Sequence, residues 1–241
     1  MEIPKIIWQT YKTKKLPKQA EECHSTWKVK NTDGWNVVLY DDEDIIHYLK
    51  DKWNQNLIDF HDKLPIGVMK ADLWRYCVLA TEGGVYSDID SICILPVDRW
   101  IQDNLFITSD VLLIGLENNH DYCQWTLMST KDHPAMKYVV EYLVNNFKKN
   151  GIDTSNPHFV HATTGPSIFR EAINSFLNLD GLAGDVFNKY TDDASIRNDI
   201  QKKGVYLLNK DAFEFTYSRN LYGSQNFTDG YVKWTEEIKK L

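Results

Sequence analysis

Asp88 and Asp90, separated by Ile89, are the pair of side chains in this 241-residue sequence best spaced for chemistry. Alternate residues of a strand face the same way, so both carboxylates are expected on one side of the chain. Two carboxylates held that close repel each other unless a cation or a base lies between them. Hard divalent ions such as Mn²⁺ and Mg²⁺ take oxygen ligands and share them with phosphates. Spacing alone leaves two readings open: a metal-and-phosphate site, or an exposed edge carrying two solvated acids. A second triplet, Asp42-Glu43-Asp44, is a control within the same chain. It follows the β-branched run 36–40 and opens a helical pattern, so its carboxylates are expected to cap free backbone N–H groups and complement the helix dipole.

The elements around Asp88 and Asp90 differ from those around the control. The pattern predicts a helix over 66–82, closed by Gly83-Gly84, where glycine supplies the left-handed conformation that ends helices. A strand then starts at Val85, runs into Asp88-Ile89-Asp90 and continues to Leu95. Asp72 and Arg75 are three apart on the preceding helix and share a face, either as a simple ion pair or as a pair presented to a ligand. Tyr86 shares the strand face of Asp88 and reads equally as a contact to a ligand or as core. Further strands are predicted at 5–8, 36–40, 111–116 and 205–208. Further helices are predicted at 17–30, from about 43, and at 134–148, 165–177 and 231–240. Strands alternating with helices predict an α/β sheet with crossovers. With no repeat, low-complexity segment or linker, one domain over 1–241 is expected, with a helical embellishment between 41 and 66.

Composition bounds the chemistry. Net charge is −7 and 25% of residues are charged, with no basic block. A polyphosphate backbone needs a clustered basic surface, so nucleic acid is not an expected partner. An acidic protein that binds a nucleoside diphosphate needs help with charge, which a divalent cation supplies. Cys23, Cys77, Cys93 and Cys123 have no C-x-x-C spacing, which argues against structural zinc and for a reducing compartment. Cys77 reads as a small core residue. No signal-peptide pattern opens the chain, and no apolar run approaches the ~18 residues that span a bilayer. A soluble, cytoplasmic protein is the expectation.

The segment Ala71-Asp72-Leu73-Trp74-Arg75-Tyr76, followed by Glu82-Gly83-Gly84-Val85-Tyr86-Ser87-Asp88-Ile89-Asp90, resembles the signature of glycosyltransferase family 32. More distantly, it is similar to the donor site of the large clostridial glucosylating toxins. The likeness extends to Pro4-Lys5-Ile6-Ile7-Trp8-Gln9-Thr10, His133-Pro134, Thr164-Gly165-Pro166 and Gly223-Ser224, in the expected order along most of the chain.

The resemblance implies a GT-A fold, Rossmann-like, with the nucleotide over the strand ends. It implies a retaining transfer of sugar from a nucleotide-sugar donor to a hydroxyl of a glycan, lipid or small glycoside. It also implies a metal, Mn²⁺ or Mg²⁺, held by Asp90 and by Asp88, which also touches the donor. Asp72, Arg75 and Tyr86 are expected at the donor, with Gln9 and Ser224 as further contacts. Trp8 stands where the toxins carry the tryptophan that stacks on uracil; that favours a uridine donor over a guanosine one, with core burial as the alternative. Asn220 is the nearest match to a histidine of the family and could complete the metal's coordination through its carbonyl oxygen. Thr163, Thr164 and Gly165 form either a ligand-facing loop or a capped helix start. His120, His158 and His161 carry no motif for proton transfer. Two other functions stay open: an inactive module that keeps the fold and binds a sugar or nucleotide sugar, and a nucleotidyltransferase, although residues 4–13 do not form the glycine-rich phosphate loop which the latter needs.

Overall fold

The computed structural model of the protein describes residues 2–104 and 106–221. In chain order its elements are β1 (Ile6–Thr10), α1 (Lys18–Lys30), β2 (Asn36–Tyr40), α2 (Asp42–Lys52), α3 (Gln55–Lys63) and α4 (Gly67–Thr81). Then come β3 (Gly84–Ser87), β4 (Ser91–Cys93), α5 (Val97–Asp103), β5 (Leu112–Leu116), β6 (Tyr122–Ser129) and α6 (Pro134–Asn150). The described part ends with α7 (Phe159–Thr163), α8 (Pro166–Leu177), α9 (Ala183–Asp192), α10 (Ala194–Lys202), β7 (Val205–Leu208), a π-helical turn Ala212–Thr216 and β8 (Ser218–Asn220). The helix expected over 231–240 lies outside the described residues.

The main sheet has the order β2-β1-β3-β6-β5-β7. β1 pairs in parallel with both β2 and β3, and β5 with β7, whereas β6 runs antiparallel to β3 and β5. Both faces of this sheet are covered. Tyr86 and Leu127 pack into one apolar cluster with Leu73 and Trp74 of α4, Met136 of α6 and Phe169 of α8. Val85 and Met128, one residue along each strand, pack into another with Trp27 of α1, Trp100 of α5 and Phe213. This is the α/β architecture the alternation predicts, with one reversed strand.

β6 was not expected. Its sequence, Tyr-Cys-Gln-Trp-Thr-Leu-Met-Ser, is almost wholly buried on both sides, so it lacks the polar–apolar alternation that marks a half-buried strand. α5, α9 and α10 were also not read.

The control triplet opens a helix as predicted, although only Asp44 of its three residues takes part in the cap and Asp42 lines the cleft described below. Asp41 is the N-cap of α2, and Asp44 completes a reciprocal capping box with it. That satisfies two orphan backbone donors. At the other end of the embellishment α4 closes on Gly83 (φ +69°) and Gly84 (φ +93°). A Cβ on Gly84 would lie 2.5 Å from the Ile6 carbonyl oxygen. Glycine there lets β3 pass directly against β1, and so sets the level at which the chain emerges toward Asp88.

Candidate active site

β1, β2 and β3 are parallel, so their carboxyl ends share one edge of the sheet. Ligands of α/β proteins characteristically bind at such an edge. Three features meet there: the chain after β1 (Tyr11, Lys12), Asp42 after β2, and Asp88-Ile89-Asp90 after β3. Together with the first turns of α4 they line a cleft of about 440 Å³, within the range of small-molecule sites.

Asp88 and Asp90 do not lie on one continuous strand, as their spacing had suggested. β3 ends at Ser87 and β4, in a separate two-stranded sheet with β8, begins at Ser91. The residues between form a turn closed by Ser91 N–H donating to the Asp88 carbonyl at 3.0 Å. Asp88 N–H donates to the Trp125 carbonyl at 2.8 Å, and Leu221 N–H to that of Asp90 at 3.1 Å. Ile89 is buried with Ala20 and Cys23 of α1. The apolar middle residue therefore anchors the turn, and both acidic residues stay on the cleft wall.

The Asp88 side chain is held firmly. Its Oδ1 accepts from Arg75 Nη2 at 2.9 Å and from the Tyr86 hydroxyl at 2.7 Å. Arg75 in turn lies 3.1 Å from Asp72 and is 2% exposed. Its Nη1 donates to the Gln124 carbonyl at 3.0 Å, and its guanidinium sits 4.8 Å from the centre of the Tyr86 ring. Its Nε–H is buried and has no partner among the described residues. Burial opposes the charge of Arg75, but Asp88, Tyr86 and Asp72 keep the guanidinium protonated far above its usual range.

One arginine serves two carboxylates, so the inner acid is left poorly compensated. Asp72 is fully enclosed, bonded by Thr164 Oγ1 at 3.0 Å and by Gln124 Nε2 at 3.4 Å. Burial nevertheless pushes its carboxyl up to about 7 against the pull of Arg75, and the charge of Asp88 adds to the rise. Asp88 is also raised by burial, but Arg75 and the Tyr86 hydroxyl oppose the shift. Because the folded state holds the Asp72 proton more tightly than the unfolded chain does, the stability linked to it is full below about pH 4 and is lost as pH rises through about 7. Asp72→Asn, which cannot ionise, is therefore expected to gain stability relative to wild type over that window. Denaturant unfolding of both proteins at pH 4.5 and 7.5 measures this, and parallel pH profiles would refute it.

Trp8 and Gln9 belong to the scaffold rather than to the cleft wall. Trp8 is 6% exposed, its indole N–H donates to the Gly83 carbonyl at 2.8 Å, and it packs edge-on against Tyr40 and Trp74. The structure thus favours the core alternative over the base-stacking platform inferred from the toxins, because the ring is buried and its one donor is engaged inside the fold. Trp8→Phe is expected to lower stability by about 1–3 kcal/mol, the cost of leaving a buried acceptor unpaired, and to leave nucleotide affinity unchanged. A tenfold or larger loss of affinity in a folded variant would restore the stacking role. Gln9 is fully buried; its Nε2 donates to the Asp88 carbonyl at 3.3 Å and its Oε1 lies 2.6 Å from His24 Nδ1. It supports the turn from beneath and does not face the cleft.

Asn220 reaches the site by a different route from the one implied. β8 pairs antiparallel with β4, which sets Asn220 opposite Ser91. Its Nδ2 donates to Asp90 Oδ1 at 3.0 Å. In this arrangement the amide N–H groups, and not the carbonyl, face the carboxylate, so Asn220 orients Asp90. Ser224 lies outside the described residues. Thr164 is brought to the site through Asp72, although Thr163 and Gly165 are not on the cleft wall. One residue of the network had no sequence signal: Gln124, which also accepts from the Tyr76 hydroxyl at 2.5 Å. Its place depends on the pairing of β6, which the pattern does not reveal.

The donor set suits a hard divalent cation. Two carboxylates face one cleft, and the contacts that Asp88 makes to other side chains fall on Oδ1, which leaves its other oxygen for a ligand. Among the described residues no group of three or more His, Cys, Asp or Glu side chains forms a closed metal cage. A cation here would draw its remaining oxygens from water and phosphate, as Mg²⁺ commonly does.

Residues 17–107 match the family described as "Glycosyltransferase sugar-binding region containing DXD motif". An initiation-specific alpha-1,6-mannosyltransferase of Candida albicans is 28% identical over 207 residues, covering 73% of this chain and 53% of that protein. The protein of the same name from Schizosaccharomyces pombe is 28% identical over 196 residues, covering 73% of the chain and 49% of that protein. The chain spans about half the length of the curated relatives it matches. Among solved structures, PaToxG glycosyltransferase superposes with a TM-score of 0.55 at 18% identity, covering 82% of this chain and 78% of that one. That likeness concerns the fold, which is of the GT-A type. No helix among the described residues is long and apolar enough to cross a membrane.

Proposed function

Residues 17–107 belong to the glycosyltransferase sugar-binding regions that contain a DXD motif, and from that premise we propose a metal-dependent sugar transferase. In this reading the chain, acting as one domain, moves a hexosyl unit from a nucleoside diphosphate sugar to a hydroxyl of a glycan, lipid or glycoside, with retention at the anomeric carbon. The observation that carries it is the placement of Asp88 and Asp90 on one cleft wall, with Asp88 fixed by Arg75 and Tyr86.

Asp88 and Asp90 would hold Mn²⁺ or Mg²⁺, whose charge would neutralise the diphosphate as it leaves. Arg75 orients Asp88 through Nη2, and its unpaired Nε–H is a donor that a sugar hydroxyl or a phosphate oxygen would meet only if the cleft opens onto it. Asp72 keeps Arg75 in place from the inner side, and Asn220 does the same for Asp90. A buried donor without a partner is costly in the free protein, so a ligand that satisfies Arg75 gains affinity from it.

The reason for preferring a uridine donor rested on Trp8, and core packing of Trp8 removes it. The names of the relatives instead put a mannosyl donor first, with UDP- and GDP-sugars tested on equal terms. The experiment is transfer or donor hydrolysis across a panel of nucleotide sugars with Mn²⁺. Turnover of one donor that disappears in excess chelator and returns with added metal is the expected result. Full turnover in chelator would sink the metal role. Binding of a nucleotide sugar without any turnover would favour a module that binds but does not transfer.

A further inference from the structure

The cleft has a second charged side that the reading above does not use. Besides the acidic turn, its wall carries Lys12, two residues beyond β1, and Lys70, in the first turn of α4. Arg75, the third cation of the wall, is already matched by Asp72 and Asp88. Neither Lys12 nor Lys70 makes a hydrogen bond or an ion pair among the described residues. Asp42 lines the same wall, and both lysines counter the rise that burial gives its pKa. Lys70 is half-buried and Lys12 is exposed. Two cations on a concave, partly desolvated surface focus potential into the cavity more strongly than they would on an open face.

The topology explains why they meet. Lys12 lies in the loop after β1, and β1 and β3 are parallel neighbours, so this loop and the Asp88–Asp90 turn emerge at the same sheet edge. α4 runs back from that edge to the start of β3, which places its first turns, with Lys70, over the cleft and its later turns, with Arg75, beside Asp88. Lys70 and Arg75 therefore project from one helix into one cavity at two depths.

We propose that Lys70 and Lys12 form an anion-binding subsite of this cleft that takes a phosphate group of a ligand bound beside the Asp88–Asp90 turn. The subsite deepens the transferase reading and rests on it. A ligand phosphate would then meet the lysines as well as the cation that Asp88 and Asp90 would hold. The phosphate belongs either to the donor's diphosphate or to an anionic acceptor, and the arms of the test separate these sources.

The test compares wild type with Lys70→Gln, Lys12→Gln and the double variant by calorimetry at low ionic strength and without metal. The probes are inorganic pyrophosphate, UDP, GDP, uridine and guanosine. Equal unfolding midpoints of the four proteins certify the fold, since neither side chain makes a hydrogen bond or an ion pair among the described residues. The double variant is expected to bind pyrophosphate at least tenfold more weakly, the scale of one lost charge-assisted bond. If UDP or GDP weakens in parallel while the nucleoside does not, the phosphate is the donor's. If nucleotide binding is unchanged, a higher KM for mannose 6-phosphate as acceptor, with that for mannose unaltered, assigns it to the acceptor. Unchanged pyrophosphate affinity in the double variant overturns the subsite. Pyrophosphate binding that depends on the lysines in a protein that binds no nucleotide sugar would keep the anion site and reject the transferase reading, so the two failures are distinguishable.

Discussion

Arg75→Met is expected to lower the stability of the fold by about 3–5 kcal/mol, the usual consequence of removing one partner from a buried ion network. The guanidinium is 2% exposed and lies 3.1 Å from Asp72 and 2.9 Å from Asp88. Methionine fills a similar volume, so packing is approximately preserved and the loss is electrostatic. Asp72, already pushed up to about 7 with Arg75 present, would then take up a proton at neutral pH. Asp88 would lose the bond that orients it. The double variant Arg75→Met/Asp72→Leu separates charge from packing, because it removes the buried acid along with its partner. Denaturant unfolding of the two variants checks this: the double variant should recover much of the lost stability. If Arg75→Met unfolds at the same denaturant concentration as wild type, the network does not have the role given to it here.

Asp90→Asn is expected to leave the fold intact and to reduce metal-supported turnover by on the order of 100-fold or more. Groups that merely orient a metal ligand typically change affinity or activity by about 10–100-fold when removed, and a direct ligand should cost at least as much. Asparagine has the same shape, can still accept from Asn220 Nδ2, and keeps the backbone bond from Leu221, so the turn has no reason to move. What disappears is one negative charge facing the cleft. The measurement is turnover as a function of Mn²⁺ concentration, with the unfolding midpoint as a control. A metal titration superimposable on that of wild type would remove Asp90 from the metal site. Asp88→Asn is the less clean variant, since Asp88 also balances Arg75.

The two acidic triplets show how far sequence reasoning reached. Asp42-Glu43-Asp44 was read as a helix start from its flanks alone, and the capping box between Asp41 and Asp44 is a contact over three residues. Contacts of that range follow from local pattern. The same holds for α4, closed by Gly83-Gly84, and for the Asp72–Arg75 pair on it, three residues apart. The motif around Asp88 and Asp90 was legible because its parts are consecutive: helix, glycine closure, short strand, turn.

The strand argument for Asp88 and Asp90, by contrast, gave the correct wall for the wrong local reason. They share the cleft because Ile89 is buried beneath them and the turn is bonded to Trp125 and Leu221. Trp8 and Asn220 make the same point. Their residue types fit a base platform and a metal ligand; their surroundings make one a core side chain bonded to Gly83 and the other a partner of Asp90.

The sequence by itself therefore determined the α/β class, the helix with its glycine closure, and which two carboxylates to watch. The tertiary structure alone decided what supports them. Gln9 reaches Asp88 across 79 residues, Thr164 reaches Asp72 across 92, and Asn220 reaches Asp90 across 130. Separations of that size leave no periodicity in the chain. They exist only once β3 lies against β1, β6 has been inserted between β3 and β5, and β8 has paired with β4; β6 is buried on two faces, where alternation gives no signal.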